Sequence, residues 1–250
     1  MSARARSPQS YYELNYLISE EKALHVRDHV ANYLELHEDS VGRPNFSWPV
    51  HTLCLDSDDF TFYRQAINDV EHRRQLRVRY RSLNPEAPAH LEIKRRLADA
   101  VVRERCAVRL EDVPLVLSGQ LLTPHRLLQR DPVGERVLEH FVELAQRFQA
   151  KPKLHIAFLR EAYTSADGTV RVTLDRQIQC QATSAQGLEW EFRDPCGLFP
   201  SKVLLELSCV ERFPNWFREM AEHFNLAQCE ADKFVAGISA LGSRVFGLPG

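Results

Sequence analysis

Glycine is scarce in this 250-residue chain, 10 in all, and none builds a phosphate-cradling P-loop. The motifs GxSxG and HExxH are missing as well, which removes nucleophile-elbow hydrolases and zinc-helix proteases from consideration. Six cysteines (Cys54, Cys106, Cys180, Cys196, Cys209 and Cys229) stand far apart, with no CxxC pair and no histidine at zinc-ligand spacing. No secretory apolar segment opens the sequence, so these cysteines read as reduced thiols of a cytoplasmic protein rather than a disulfide framework. No stretch approaches the ~20 apolar residues of a membrane span. A net charge of −2 gives no global attraction to nucleic acid or membrane, so any anion site must come from local sorting of charge. Repeats, low-complexity tracts and convincing linkers are also absent. The expectation is a short disordered lead over residues 1–10 and a single domain over 11–245.

What is present is a period of two. Leu76-Arg77-Val78-Arg79-Tyr80, Leu91-Glu92-Ile93-Lys94, Val102-Arg103-Glu104-Arg105, Val170-Arg171-Val172-Thr173-Leu174-Asp175 and Leu205-Glu206-Leu207-Ser208 alternate apolar and polar residues, and the charges are mostly basic. Successive side chains leave opposite faces of a strand, so each segment predicts one apolar face and one charged face. Further strands are predicted over 13–18, 50–55, 90–96, 153–164, 176–182 and 202–210. A turn at Ala166-Asp167-Gly168 folds one strand back on the next. Helices are predicted over 19–36 (Ser19 as N-cap), 60–67, 134–149, 214–224 and 230–241. Hairpin spacing implies antiparallel pairing, hence the α+β class.

An alternating charged face is ordinarily solvent-exposed. Here Arg77, Arg79, Lys94, Arg103, Arg105 and Arg171 are of one sign, and packed together they would repel unless an anion lay between them. Arginine forks match phosphate oxygens. Interleaved carboxylates (Glu13, Glu92, Glu104 and Glu206) are candidate ligands for Mg²⁺ or Mn²⁺ held against a polyphosphate, with salt bridging as the competing role of each. Glu206 is the foremost ligand candidate because its strand is otherwise apolar. Trp190 and Phe192 are candidates for stacking on a base or for packing in the core.

The order of these segments resembles the vacuolar transporter chaperone (VTC) domain, the polyphosphate-polymerase member of the triphosphate tunnel metalloenzymes. The resemblance rests on Tyr12-Glu13-Leu14, Phe60 and Tyr63, Arg73 to Tyr80, Leu91 to Arg96, Val101 to Arg105, Arg160-Glu161-Ala162-Tyr163, Val170 to Asp175, Leu205-Glu206-Leu207 and Lys233-Phe234. It implies an antiparallel β-barrel with a charged lumen and flanking helices. Arg77, Arg79, Lys94, Arg171 and Lys233 would act on the transferred phosphate, and Arg103, Arg105, Arg160 and nearby Arg64 would bind substrate. Glu206 would bind Mn²⁺ or Mg²⁺, aided by Glu92 and Glu13. The implied reaction moves the ATP γ-phosphate onto inorganic polyphosphate. A separate membrane protein is a candidate partner, and nucleic acid is not.

The chain departs from the family pattern at four positions. Asn15 and Ser208 stand where lysines are usual, Ala66 where a basic residue is usual, and Asp232 where a serine precedes the C-terminal lysine. These departures keep open a non-catalytic polyphosphate- or nucleotide-binding module and a tunnel triphosphatase as alternatives. By strict alternation Arg160 shares a face with Ile156 and Phe158, which predicts a bulge in that strand or a place at the tunnel mouth.

Overall fold

The computed structural model describes residues 9–68, 70–129, 131–183, 188 and 190–248. Its strands are β1 (Gln9–Ile18), β2 (Glu35–Leu36), β3 (Trp48–Asp56), β4 (His72–Tyr80), β5 (Pro88–Leu97), β6 (Ala100–Arg109), β7 (Lys151–Thr164), β8 (Val170–Ala182), β9 (Cys196–Gly197) and β10 (Val203–Cys209). They form one antiparallel sheet, in which the order β7-β3-β4-β5-β6-β1-β10-β8 returns to β7 and closes an eight-stranded barrel. The two-residue strands β2 and β9 add to the outside of β7 and β8. Of the lead expected over residues 1–10, residues 1–8 lie outside the described residues, and Gln9 and Ser10 belong to β1.

The apolar faces point outward. Leu53, Leu76, Val78, Leu91 and Ile93 belong to one buried cluster with Val137, Leu138 and Phe141 of α4 (Pro132–Arg147), which packs on β5 and β6. On the other side Val172, Leu174, Leu205 and Leu207 meet Ala23, Val26 and Val30 of α1 (Glu20–Val30) and Phe217 and Met220 of α5 (Asn215–His223). Each fully buried aliphatic side chain contributes about 1.5–3 kcal/mol, so most of the stabilising core lies between barrel and helices, and the lumen is mainly polar apart from residues such as Ile156 and Phe158. Short helices α2 (Thr61–Ile67) and α3 (Val113–Leu117) and the C-terminal α6 (Lys233–Leu241) complete the shell.

Two elements differ from the sequence expectation. Helix α1 stops at Val30 instead of running to Leu36, because Asn32 Nδ2 donates to the terminal carbonyls of Asp28 and His29 and the chain turns to pair Glu35 with Thr164. The segments expected as separate strands over 169–175 and 176–182 are one strand, β8. The break in alternation is a bulge, with Gln177 at φ +49° and the register against β7 slipping between Ala157 and Leu159.

Helix α6 lies directly on the barrel. A Cβ at Gly237 would come within 2.5 Å of Leu154 Cδ2, and Leu154 is itself fully buried. Gly237→Ala is therefore expected to lift the helix and cost about 1–3 kcal/mol, read as a lower midpoint in chemical denaturation. An unchanged midpoint would mean that Leu154 has room to turn away.

Outside the lumen, His51 Nδ1 and His155 Nε2 lie 3.0 Å apart, and Tyr80 OH is 3.1 Å from the same His155 nitrogen. Trp190 stacks on His51 at 4.1 Å, and Phe192 meets His155 edge-on at 4.5 Å, so both aromatics pack on the outer core. Burial pushes His51 down to about 4 and His155 down to about 3, with His51 adding repulsion at the second site. The unfolded chain thus takes up protons first, below about pH 6.5. Stability is expected to fall from pH 6.5 toward 4, and His51→Asn should flatten that limb in a Tm-against-pH series; an identical limb in the variant would exclude these rings as its source.

Candidate anion-binding tunnel

Alternate residues of all eight barrel strands point inward. Tyr11, Glu13 and Asn15 come from β1, Thr52 and Cys54 from β3, Gln75, Arg77 and Arg79 from β4, and Lys94 and Arg96 from β5. Arg103 comes from β6, Phe158 and Arg160 from β7, and Glu206 from β10. Together with Phe199 and residues 228–236 at one end, they line a cavity of about 740 Å³. Glu92, Arg105, Arg171, Thr173, Asp175 and Ser208 occupy the same inner faces. The charged faces of the sequence therefore converge in the lumen.

Much of this charge is already paired. The fully buried Glu92 accepts a hydrogen bond from Arg77 Nε at 2.6 Å, with Arg105 Nε at 3.4 Å and an Arg79 nitrogen at 3.9 Å. Burial would raise its pKa, but the charges of Arg79, Arg77 and Arg105 outweigh this and hold it well below the usual carboxylate range. Glu13 accepts from Lys94 Nζ at 3.0 and 3.1 Å. Asp175, also fully buried, takes both arms of Arg160 at 2.7 Å and Lys233 Nζ at 2.7 Å, and so locks the start of α6 to the barrel. Its pKa is depressed because Arg160 and Lys233 overcome the effect of burial.

Other cations are left wanting an anion. Burial pushes Arg79 down to about 9; Glu92 offsets part of this, and Arg77, Arg160 and Arg105 add repulsion. Arg171 is likewise pushed to about 9 by burial and by its neighbours Arg160 and Arg103. Among the described residues neither Arg103 nor Arg171 has a carboxylate within salt-bridge distance, and Arg103 rests instead over the Tyr11 ring at 5.4 Å. A phosphate chain would supply the missing negative charge.

Glu206 stands apart from the other acids. Its neighbours across the sheet are Asn15 and Thr173, and its carboxylate makes no ion pair or hydrogen bond among the described residues. Asn15 Oδ1 and Thr173 Oγ1 are buried without partners. Three oxygen-bearing side chains in one register row are the donor chemistry a hard divalent cation takes, with phosphate and water completing its shell. Glu92 and Glu13 lie outside that row: Glu92 stands opposite Arg77, and Glu13 stands opposite Ser208 with its carboxylate bonded to Lys94. Among the described residues no three His, Cys, Asp or Glu side chains gather as a metal cluster.

Arg64 is the other correction. It is exposed on α2, whereas Phe62 faces the core and Ala66 and Ile67 face the cavity, so the helical repeat turns Arg64 away. Arg160 keeps strict alternation after all: Ile156 and Phe158 are themselves lumen residues, and Arg160 lies 5.2 Å over the Phe158 ring. Asp232 is not a bare negative charge beside Lys233. It caps α6, accepting from Phe234 N at 2.8 Å and Val235 N at 3.3 Å, while its other oxygen accepts from Gln75 Nε2 at 2.6 Å. The key member missed in the sequence is Asp175, which shares the alternation of Arg171 and Thr173 and was legible from it.

The VTC-domain family model matches residues 10–242. No curated protein matches the chain. Among solved structures, a candidate adenylate cyclase from Bacillus halodurans is similar at a TM-score of 0.53, with 13% identity over 91% of this chain and 96% of its own. The PH1819 protein from Pyrococcus horikoshii aligns at a TM-score of 0.48, with 14% identity over 94% of this chain and 99% of its own. At 13% identity the likeness to the Bacillus halodurans structure speaks for the fold alone.

Proposed function

The chain belongs to the VTC-domain family, and on that premise we propose that its tunnel binds ATP and inorganic polyphosphate and transfers the γ-phosphoryl group to the end of the polyphosphate chain. The bond between the β–γ bridging oxygen and the γ-phosphorus breaks, a bond from the chain's terminal oxygen to that phosphorus forms, and ADP leaves. The observation that carries this reading is the surplus of half-buried cations: Arg79, Arg103 and Arg171 face the lumen without a close carboxylate of their own.

Phosphoryl transfer needs little covalent chemistry from the protein. Arg79, Arg103 and Arg171 would hold the phosphate oxygens, with Arg77, Arg105 and Arg160 kept in place by Glu92 and Asp175. Lys94 and Lys233, each tethered to a carboxylate, would complete the cationic lining near α6. Glu206, Asn15 and Thr173 would hold a divalent ion, which would supply neutralisation of phosphate charge when bound. Asn15 thus replaces a cation with an oxygen donor instead of simply emptying the site.

A second reading, a tunnel that binds polyphosphate without reaction, is favoured by one observation. Asn15, Ala66 and Ser208 leave three family cations unreplaced, and Ser208 only donates to the Arg171 carbonyl at 3.4 Å. The deciding experiment supplies purified protein with ATP and Mn²⁺, with and without a short polyphosphate primer, and follows long-chain product and ADP. Chain growth matched by ADP supports the polymerase. Binding of polyphosphate without growth overturns it in favour of the binding module, and phosphate release from tripolyphosphate alone points to hydrolysis.

A further inference from the structure

Arginine does not stop at the lip of the tunnel. At the end of the β4–β5 hairpin, Arg73 pairs in register with Arg96 on the inner face, and the next pair, Arg74 with Arg95, falls on the outer face. Like charges directly opposite in a sheet repel. Arg147, in the last turn of α4, joins them on the outside: Arg74 and Arg147 approach the Phe148 ring from their own positions at 5.4 and 5.6 Å. The Nε atoms of Arg74 and Arg95 are buried without a hydrogen-bond partner. A nearby carboxylate, Glu104, is already shared between Arg95 at 2.7 Å and His140 at 2.9 Å. Burial lowers the pKa of Arg74, and repulsion from Arg147 and Arg95 lowers it further. The helix dipole favours a cation at the end of α4 and accounts for Arg147 by itself. It does not account for Arg74 opposite Arg95, which stand on strands.

We propose that Arg74, Arg95 and Arg147 form a second anion site on the outer wall of the barrel, which takes up the part of a phosphate chain that passes over the lip from the tunnel. Arg74 and Arg96 border the cavity itself, so the path from lumen to outer wall is continuous. This assignment rests on the reading of the tunnel as a phosphate-chain site. A short anion is held within the lumen, whereas a long chain reaches both sets of arginines.

The test compares tripolyphosphate with long-chain polyphosphate in binding titrations on the wild-type protein and on the double variant Arg74→Gln/Arg147→Gln. Glutamine keeps part of the stem that covers Phe148 and removes the charge. Loss of two contacts at the more solvent-exposed outer wall, each weaker than one inside the lumen, is expected to lower long-chain affinity about tenfold and to make its salt dependence shallower by about two in log–log slope. Tripolyphosphate affinity, which Arg74 touches only at the lip, falls by much less, and Tm is not lowered. Equal long-chain affinity in the two proteins would overturn the outer site. Wild-type protein that takes up neither probe would overturn the tunnel reading on which it stands. Binding to anionic lipid vesicles that the variant loses, with long-chain affinity intact, would overturn the assignment to a phosphate chain.

Discussion

Glu92→Gln is expected to lower the stability of the empty protein more than any other single change in the lumen. The carboxylate is fully buried and stands between Arg77, Arg79 and Arg105. Removing its charge leaves those cations facing one another in a site that water reaches poorly, a loss of about 3–5 kcal/mol by analogy with broken buried ion pairs. In a chain of this size that is a fall in Tm of roughly 10 °C. The same change should tighten phosphate binding, because an incoming anion then takes the place of Glu92. Differential scanning fluorimetry with and without tripolyphosphate reads both effects, and the ligand-induced rise in Tm should be larger in the variant than in the wild type. A variant that melts with the wild type would show that the three arginines do not depend on Glu92.

Arg79→Ala is expected to do the reverse. Arg79 reaches Glu92 only at 3.9 Å and Thr52 Oγ1 at 3.4 Å, and the surrounding cations repel it. Its removal should leave the Tm of the empty protein unchanged or slightly raised. Loss of a charge-assisted phosphate contact of about 1.5–3 kcal/mol corresponds to tripolyphosphate affinity weaker by roughly 10- to 150-fold. Arg77→Ala makes the informative contrast, since it deprives Glu92 of its 2.6 Å partner and should damage both binding and fold. Calorimetric titration of the two variants separates them. Undiminished affinity in Arg79→Ala would remove that residue from the binding surface.

The strands were legible because alternation is a local property, and the barrel followed from the resemblance those strands carry. Leu76 to Tyr80 and Val170 to Asp175 announce a two-faced strand from five or six consecutive residues, and the collinear segments carried the likeness to the VTC domain. The ends of elements were less legible. Helix α1 is closed by the Asn32 side chain and by pairing of Glu35 with Thr164, a partner far along the chain. The bulge at Gln177 broke the period of β8 and made one strand read as two. Arg64 looked like a substitute for the missing cation near Tyr63, but proximity in sequence does not carry a side chain around a helix to the opposite face.

By itself the sequence determined the strand-rich α+β class, the sorting of arginine onto one face of each strand and the family. Each follows from residue identity and short-range spacing. Only the tertiary structure decided which charges are available to a ligand. Glu92, Glu13, Asp175 and Glu206 look alike in the sequence, yet three are neutralised by cations and Glu206 is left beside Asn15 and Thr173. Asp232 turned out to cap α6, and Lys233 to answer Asp175. The physical reason is that charge pairing acts over a few ångströms across strands. Those strands are brought together by register and by the closure of β7 on β8, which no short window of sequence contains.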